Sequence, residues 1–324
     1  MEQNQSLPSD LILMASVFRS PPAVTYAAVA TVLVIYVVAV AGNSLLCVAI
    51  ASDRRLHKPV YVLVAALAIT DLVESTNSLP RIAHDAASPR GNVMSVGECY
   101  AQMCVLHVSI RVQGYTLVAM GVDRYLAVCR PLRYHALVSN GAALKAVAAA
   151  VAASSLMAVG NVVLVARLTL CRDKVIRAPN CDFLVMSGLA CGGDGASAVV
   201  AYTLLTSSVT IALPLCAVVV TYGLILREVR TRPESRGSQG KALRTSVTHL
   251  TIVALYFGSI LFTIASGLKL FSWLSVEVRY PLQTLQYVVP PAVNPIVYGL
   301  RMKEIGRSLR GVFSHRHRRV DGGI

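Results

Sequence analysis

The sequence predicts an all-α membrane protein in which seven transmembrane helices form one bundle, and three observations support that prediction. The 324 residues have a mean hydropathy of +0.61 and 14% charged side chains, whereas soluble domains carry about 25%. Seven separate runs approach the roughly 20 apolar residues that a spanning helix needs. Most basic residues lie between alternate runs, on one side of the predicted bundle. A chain surrounded by lipid explains all three observations.

The predicted bundle occupies residues 26–300. Each span is expected to be a helix, because a segment in lipid must satisfy its own backbone hydrogen bonds. The second span is interrupted by Asp71 and Glu74 and the third by Arg111, so these two are the least apolar. In chain order the spans are residues 26–51, 60–79, 99–122, 146–166, 196–226, 245–268 and 280–300.

The basic residues predict which end of the bundle faces the cytoplasm. Of the 30 Lys and Arg residues, 20 lie in the loops after the first, third and fifth spans, at the ends of the adjoining spans, and in the C-terminal tail. The positive-inside rule places that side in the cytoplasm. Residues 1–25 then form an extracellular tail and residues 301–324 a cytoplasmic one. An odd number of spans requires the same arrangement.

Composition and motifs exclude several functional classes. The net charge of +14 could suit nucleic acid, but apolar runs separate the basic residues, so we expect no nucleic-acid partner. The sequence contains no Walker loop, zinc-ligand cluster or hydrolase elbow. We therefore expect a protein that is not an enzyme and that has no cofactor and no resident metal.

Two short motifs lie at the inner ends of the third and seventh predicted spans. They are Asp123-Arg124-Tyr125 and Asn294-Pro295-Ile296-Val297-Tyr298. In these positions they resemble the rhodopsin-like, class A G-protein-coupled receptors. Three further stretches resemble the odorant receptors of that class: LHKPVY from residue 56, MGVDRYLAVCRPLRY from residue 120, and KALRTSVTHL from residue 241.

The sequence also departs from the odorant-receptor pattern. Val122 replaces a common tyrosine, Ser246 replaces a common cysteine, and the usual Phe-Tyr order is reversed at Tyr256 and Phe257. These differences indicate a divergent member of the family.

The resemblance implies a function and a set of switch residues. It implies a multi-pass plasma-membrane receptor that binds a small-molecule odorant and activates a heterotrimeric G protein of the stimulatory olfactory type, raising cyclic AMP. The implied switch residues are Asp123, Arg124, Tyr125, Tyr222, His249, Asn294, Pro295 and Tyr298. One alternative is another class A receptor for a non-odorant small molecule, a lipid or a peptide. A small transporter is less favoured, since no internal repeat with paired broken helices is evident.

Ionisable residues inside the spans are expected to be functional. The resemblance implies a polar network in the middle of the bundle, formed by Asn43, Asp71, Gln113 and Asn294. Gln113 stands where odorant receptors often carry an acid, so we expect a hydrated network, with sodium near Asp71 as the alternative. Glu74 and Arg111 are placed to pair across the bundle as structural charges, and the alternative is that Arg111 lines a ligand pocket and favours an anionic or strongly polar ligand.

The ligand pocket is predicted in the outer half of the bundle. Leu106 occupies the place where amine receptors carry an acid, and a buried cation without a countercharge is costly, so an amine ligand is disfavoured. The remaining side chains suit a small molecule held by shape and a few hydrogen bonds. The candidates are His107, Ile110, Arg111, Thr206, Thr210, Phe257, Ile260, Thr284 and Tyr287.

Four cysteines lie on the predicted outer side. Cys99 begins the third span, and the loop after the fourth carries Cys171, Cys181 and Cys191. Four cysteines allow three pairings, and the resemblance implies Cys99–Cys181 and Cys171–Cys191. The sequon that begins at Asn4 predicts glycosylation of the extracellular tail.

The cytoplasmic tail is predicted to contain an amphipathic helix. Ile305, Leu309 and Phe313 recur every four residues among basic side chains. Such a helix lies in the membrane interface. Its basic residues would favour anionic lipid by about 1 kcal/mol each.

Overall fold

Long helices account for most of the chain in the computed structural model. The structure describes residues 11–14, 22–88, 92–170, 175–176, 178–191, 194–231, 236–267, 270–271 and 273–310. The long elements are α1 (Pro22–Ser52), α2 (Pro59–Ala87), α3 (Val96–Cys129), α5 (Asn140–Ala166), α7 (Asp194–Ser207) continued by α8 (Leu213–Thr231), α9 (Arg236–Gly267) and α10 (Val276–Arg301). The short helices are α4 (Pro131–Leu137), α6 (Phe183–Gly188) and α11 (residues 303–310).

Within the part of the chain that the structure describes, six helical segments are long and apolar enough to cross a membrane. They are Ala23–Ser52, Pro59–Ala87, Val96–Cys129, Asn140–Ala166, Gly195–Thr231 and His249–Ser266. The seventh rod, α10, is less apolar because it contains four prolines and several polar residues, yet it packs against α1, α2 and α9. The fold is therefore the predicted seven-helix membrane bundle.

Helix α2 continues two turns beyond the predicted second span, from residue 79 to Ala87. Hydropathy falls there because Arg81, His84 and Asp85 follow the apolar run. The backbone stays helical, and Arg81 forms an ion pair of 3.0 Å with Asp85 one turn later. Apolarity therefore marks the lipid-facing length of a helix and not its end.

A π turn joins α7 to α8. It covers Ser208–Ala212, and the N–H of Leu213 donates to the carbonyl of Ser208, five residues earlier. Pro214 follows at once, and proline has no N–H and clashes with the carbonyl four residues back. The wider turn accommodates that clash without breaking the rod. Such turns are frequent at functional sites.

Helix α10 is tied to α1 at its prolines. Pro295 has no N–H for the carbonyl of Pro291, four residues earlier, so this carbonyl loses its helical donor. The side chain of Asn43 supplies a replacement, with Nδ2 at 2.8 Å from the oxygen. Beside it, a Cβ on Gly42 would lie 2.7 Å from Cγ of Pro295. The backbone of α1 at Gly42 therefore packs directly against the Pro295 ring of α10.

A three-stranded sheet lies at the outer end of the bundle, although the sequence predicts no strand. The central strand β1 (Leu11–Met14) pairs antiparallel with β2 (Asn92–Ser95) and parallel with β3 (Val175–Ile176). Ile12 and Ile176 are fully buried beneath it. The part of the N-terminal tail that the structure describes is thus attached to two outer loops, while the sequon at Asn4 lies outside the described residues.

The cytoplasmic end of the bundle is closed by α11. Ile305 is fully buried, and Leu309 packs against the main core. Gly306 allows α11 to approach the end of α10 closely, because a Cβ there would lie 3.0 Å from the carbonyl of Gly299. Arg307 points outward with 60% of its side chain exposed, and the third predicted apolar residue, Phe313, lies outside the described residues.

The close contact at Gly42 leads to a prediction about stability. We expect Gly42→Ala to destabilise the protein by about 1–3 kcal/mol, because the new methyl group must displace the Pro295 ring. The measurement is thermal unfolding of the purified protein, together with its amount at the cell surface. Gly258→Ala is the control, since nothing lies within 4 Å of that position, and alanine there should stabilise α9 by up to about 1 kcal/mol. Equal effects of the two variants would contradict the packing described.

Candidate functional site

A cavity opens between α3, α7, the π turn, α9 and α10 in the outer half of the bundle. The space between its walls is about 570 Å³, with the open solvent at its mouth included. Six of the nine predicted ligand residues line it, namely His107, Ile110, Arg111, Thr210, Ile260 and Tyr287. Additional apolar lining comes from Leu106, Ile211 and Ile264.

The other three predicted ligand residues do not line this cavity. The Thr206 hydroxyl donates to backbone carbonyls of its own helix, those of Tyr202 and Thr203. Phe257 is buried in the main core, where its ring contacts Tyr256 edge to face. Thr284 donates to the carbonyl of Tyr280. Helical spacing placed all three on inward faces, but it could not separate the cavity from the core below.

The outer loop after α5 covers the cavity and is fastened to α3. A disulfide joins Cys99 to Cys181, as the resemblance implied. One turn along α3, the side chain of Gln102 donates to Asn180 at 2.9 Å and accepts the N–H of Cys181 at 3.0 Å. Cys191 is also disulfide-bonded, while Cys171, its expected partner, lies outside the described residues.

The loop contributes two cavity residues that the sequence did not identify, Asp182 and Leu184. Asp182 caps α6 by accepting the N–H of Leu184, and its other oxygen lies 3.0 Å from Nε2 of His107. Burial raises the pKa of Asp182, but hydrogen bonds from His107 and from the N–H groups of Leu184 and Val185 outweigh that effect, so the pKa lies below its ordinary value. Asp182 is thus ionised and already partnered.

Arg111 lies at the floor of the cavity with 2% of its surface exposed. Its Nη2 lies 3.4 Å from Oγ1 of Thr206, and its Nη1 has no hydrogen-bond partner among the described residues. The predicted ion pair with Glu74 is wrong. Glu74 instead accepts a hydrogen bond from Gln113 at 2.7 Å. Gln113 lies two residues after Arg111 on α3, so the two side chains point to different faces of the helix.

Below the cavity, two buried carboxylates share one amide. Gln113 Nε2 lies 3.0 Å from Asp71 and 2.7 Å from Glu74, and Asn294 donates to the other oxygen of Asp71 at 2.8 Å. This cluster joins α2, α3 and α10. Glu74 thus supplies the acid that Gln113 lacks, whereas Asn43 donates to backbone carbonyls of α1 and α10.

At the cytoplasmic end, Asp123 holds two partners. Arg124 Nη2 lies 3.3 Å from Oδ2 of Asp123, and the hydroxyl of Tyr134 donates to Oδ1 at 2.8 Å. Burial and this bond raise the pKa of Tyr134 to about 12, so it stays a donor at physiological pH. Tyr134 belongs to α4 and was not among the predicted switch residues, although it lies in the stretch from residue 120 that carried the resemblance.

Two further contacts cross the bundle in the same layer. The Tyr222 hydroxyl is hydrogen-bonded to Nδ1 of His249, joining α8 to α9. The Tyr298 hydroxyl lies 3.7 Å from the sulfur of Met120, joining α10 to α3. Of the other predicted switch residues, Tyr125 is half-buried, while Asn294 and Pro295 hold the contacts to Asp71 and α1 described above.

Comparison with known proteins identifies the family. An olfactory receptor family model matches residues 32–316. The chain belongs to the olfactory receptor family. It is similar to human olfactory receptor 2AG2 (32% identity over 96% of this chain and 95% of the relative). It is also similar to mouse olfactory receptor 9G19 (33%; 95% and 98%) and mouse olfactory receptor 1E16 (30%; 97% and 98%).

Membership in this family gives the bundle its setting. This olfactory receptor is a multi-pass protein of the plasma membrane. It is an odorant receptor of the class A type, which couples to G proteins, and it is not an enzyme. The cavity and the Asp123–Arg124 layer are therefore at the extracellular and cytoplasmic ends of one signalling bundle.

The shared amide of Gln113 leads to a prediction about stability in this olfactory receptor. We expect Gln113→Leu to lower the free energy of unfolding by about 3 kcal/mol, because two buried carboxylates each lose a donor. Thermal unfolding measures the change. Adding Glu74→Leu should recover part of the loss, since it removes one orphaned acceptor. If the double variant lost more stability than the two single variants lose together, the shared hydrogen bonding of Gln113 would be refuted.

Proposed function

We propose that this olfactory receptor binds its odorant in the outer cavity and, when bound, activates a stimulatory olfactory-type G protein that raises cyclic AMP. The proposal depends chiefly on α9, which runs from the outer cavity to the cytoplasmic end of the bundle. It contributes Ile260, Thr263 and Ile264 to the cavity, and His249 to the cytoplasmic contact with Tyr222. A ligand that displaces its outer half therefore acts on its inner half.

A contact in the middle of the membrane supports this coupling. The hydroxyl of Tyr256 on α9 donates to the carbonyl of Ile110 on α3, and Ile110 itself lines the cavity. The bond ties the moving helix to the wall that the ligand touches. A population shift needs such a difference in contact between states, and this bond is where we expect it to begin.

The Asp123–Arg124 pair is the proposed output of the switch. In the arrangement described, Arg124 is held beside Asp123 and has 21% of its side chain exposed. Opening of α9 at the cytoplasmic end would release the guanidinium toward the G protein. The Asp71, Glu74 and Gln113 cluster lies between the two ends, and we propose that it functions as a hydrated polar network. Gln113 Nε2 occupies the position between the acids that a sodium ion would need.

Helix α11 is proposed to lie against the inner leaflet. Its apolar side packs on the bundle through Ile305 and Leu309, and Ser308 donates to the carbonyl of Ala49 at 3.4 Å. Arg307 projects away from that face. A basic outer face on an interfacial helix favours anionic lipid, so this element would position the cytoplasmic end relative to the membrane.

The test of the proposed function is a cyclic-AMP assay in cells that express the receptor with a stimulatory olfactory Gα. We expect at least one compound of a broad odorant panel to raise cyclic AMP. Arg124→Ala should abolish the response while the receptor remains at the cell surface. Arg167→Ala, at the exposed outer end of α5, is the control and should respond normally. A panel that raises solute flux instead of cyclic AMP would overturn the proposal.

A second prediction concerns the signal without ligand. Asp123→Asn removes the charge that holds Arg124 and should raise basal cyclic AMP several-fold, since a closed-state contact worth about 1 kcal/mol shifts a two-state equilibrium about five-fold. Asp53→Asn is the matched control: it breaks an ion pair with the exposed Arg55 but keeps a good capping residue. Basal signalling that is equal in both variants would argue against the Asp123 restraint.

A further inference from the structure

The guanidinium of Arg111 is a buried charge without an ionic partner. It is 2% exposed, and no described carboxylate lies within ion-pair distance of it. Nη1 has no hydrogen-bond partner among the described residues, and Nη2 has only the 3.4 Å contact to Thr206. The Thr206 hydroxyl donates its single proton to backbone carbonyls of its own helix, and its oxygen accepts only this long contact from Arg111. Two guanidinium nitrogens are thus free or weakly bound.

Such a charge cannot lower its cost by losing its proton. Arginine stays protonated in proteins, and an unpaired ionised group away from water is among the most unfavourable features of a fold. A lysine or glutamate at this position could become neutral by losing or gaining a proton. A nearby residue of opposite charge would compensate the charge of an arginine. An unpaired buried arginine is therefore best explained by a ligand that supplies the negatively charged partner.

The position of Arg111 allows a ligand to reach its guanidinium. It lines the outer cavity rather than the core below. The cavity has one described acid, Asp182, and this carboxylate is already bound to His107 and to backbone N–H groups. Asp182 attracts the Arg111 charge from a distance, but it forms no ion pair with it, so the guanidinium nitrogens stay open to a ligand. Across the cavity, Ile211, Ile260 and Ile264 present an apolar surface.

We propose that the ligand of this receptor is a small amphiphilic carboxylate, which pairs with the free nitrogens of Arg111 and lays its hydrocarbon part against the isoleucines. A guanidinium fork matches a carboxylate in a bidentate arrangement. The inference rests on the proposed function only in taking the outer cavity as the odorant site. It adds the chemical class of the odorant and the side chain that selects it.

The test measures binding rather than signalling. The full-length receptor in phosphatidylcholine nanodiscs is unfolded thermally with straight-chain carboxylates of four to ten carbons, with benzoate and phenylacetate, and with the matched alcohols and amines. At least one carboxylate should raise Tm, and its matched alcohol and amine should not. Arg111→Met should weaken binding of that carboxylate by at least about 10-fold, the equivalent of one charge-assisted hydrogen bond. Arg111→Lys should retain part of the effect.

The ligand-free variants distinguish a binding role from a structural one. Arg111→Met should raise Tm in the absence of ligand, because an apolar side chain replaces an unpaired buried charge. Arg81→Met is the matched control: it breaks the ion pair with Asp85, so it should lower Tm while leaving the carboxylate effect intact. A lower Tm for Arg111→Met would mean that the guanidinium has a partner within the protein, and the proposal would fail.

The two proposals can fail separately. Carboxylate binding without any cyclic-AMP response would contradict the proposed signalling and leave the ligand class standing. Cyclic-AMP responses to alcohols or amines, with no Tm shift from any carboxylate, would overturn the ligand class and leave the receptor function standing. Equal Tm shifts from acids, alcohols and amines would also overturn it.

Discussion

Hydrocarbon offers no hydrogen-bond partner, and most of the polar detail in this bundle follows from that fact. A free carbonyl or hydroxyl at membrane depth must bond within the protein. Asn43 therefore donates to the carbonyl that has no helical donor because of Pro295. Thr116 and Ser75 donate to carbonyls of their own helices. The same requirement brings Gln113 between two acids. These polar contacts position the helices against one another, whereas apolar side chains alone would let them slide.

Against that background, ten buried side-chain atoms of the described residues have no hydrogen-bond partner, and Nη1 of Arg111 is one of them. Asp71 has two donors, and Asp182 has three that lower its pKa, so neither is available to a ligand at low cost. Arg111 has one long contact. The contrast places the available charge at the floor of the outer cavity, with a disulfide-anchored loop above it and the tyrosine bridge to α9 beside it. The cavity and the contact between α3 and α9 thus share one residue, Ile110.

The sequence predicted the features that depend on composition or on motifs. Long apolar runs and basic loops predicted the bundle, and resemblance implied the Cys99–Cys181 disulfide. Features that depend on tertiary contact were missed. Residues 11–14 are strand only because two loops lie beside them, and Asp182 reaches the cavity only because the disulfide brings its loop inward. The Glu74–Arg111 pair failed because opposite charges at suitable depths do not reveal which helix face each occupies.

The π turn has a consequence for how such receptors diversify. A π turn holds one residue more than a regular helix would at the same place. Loss of one residue there would restore a regular helical turn and leave the segments on either side facing as before. A single-codon deletion at this turn would thus change the side chains of the turn itself, where Thr210 and Ile211 line the cavity, while the helices on either side keep their packing.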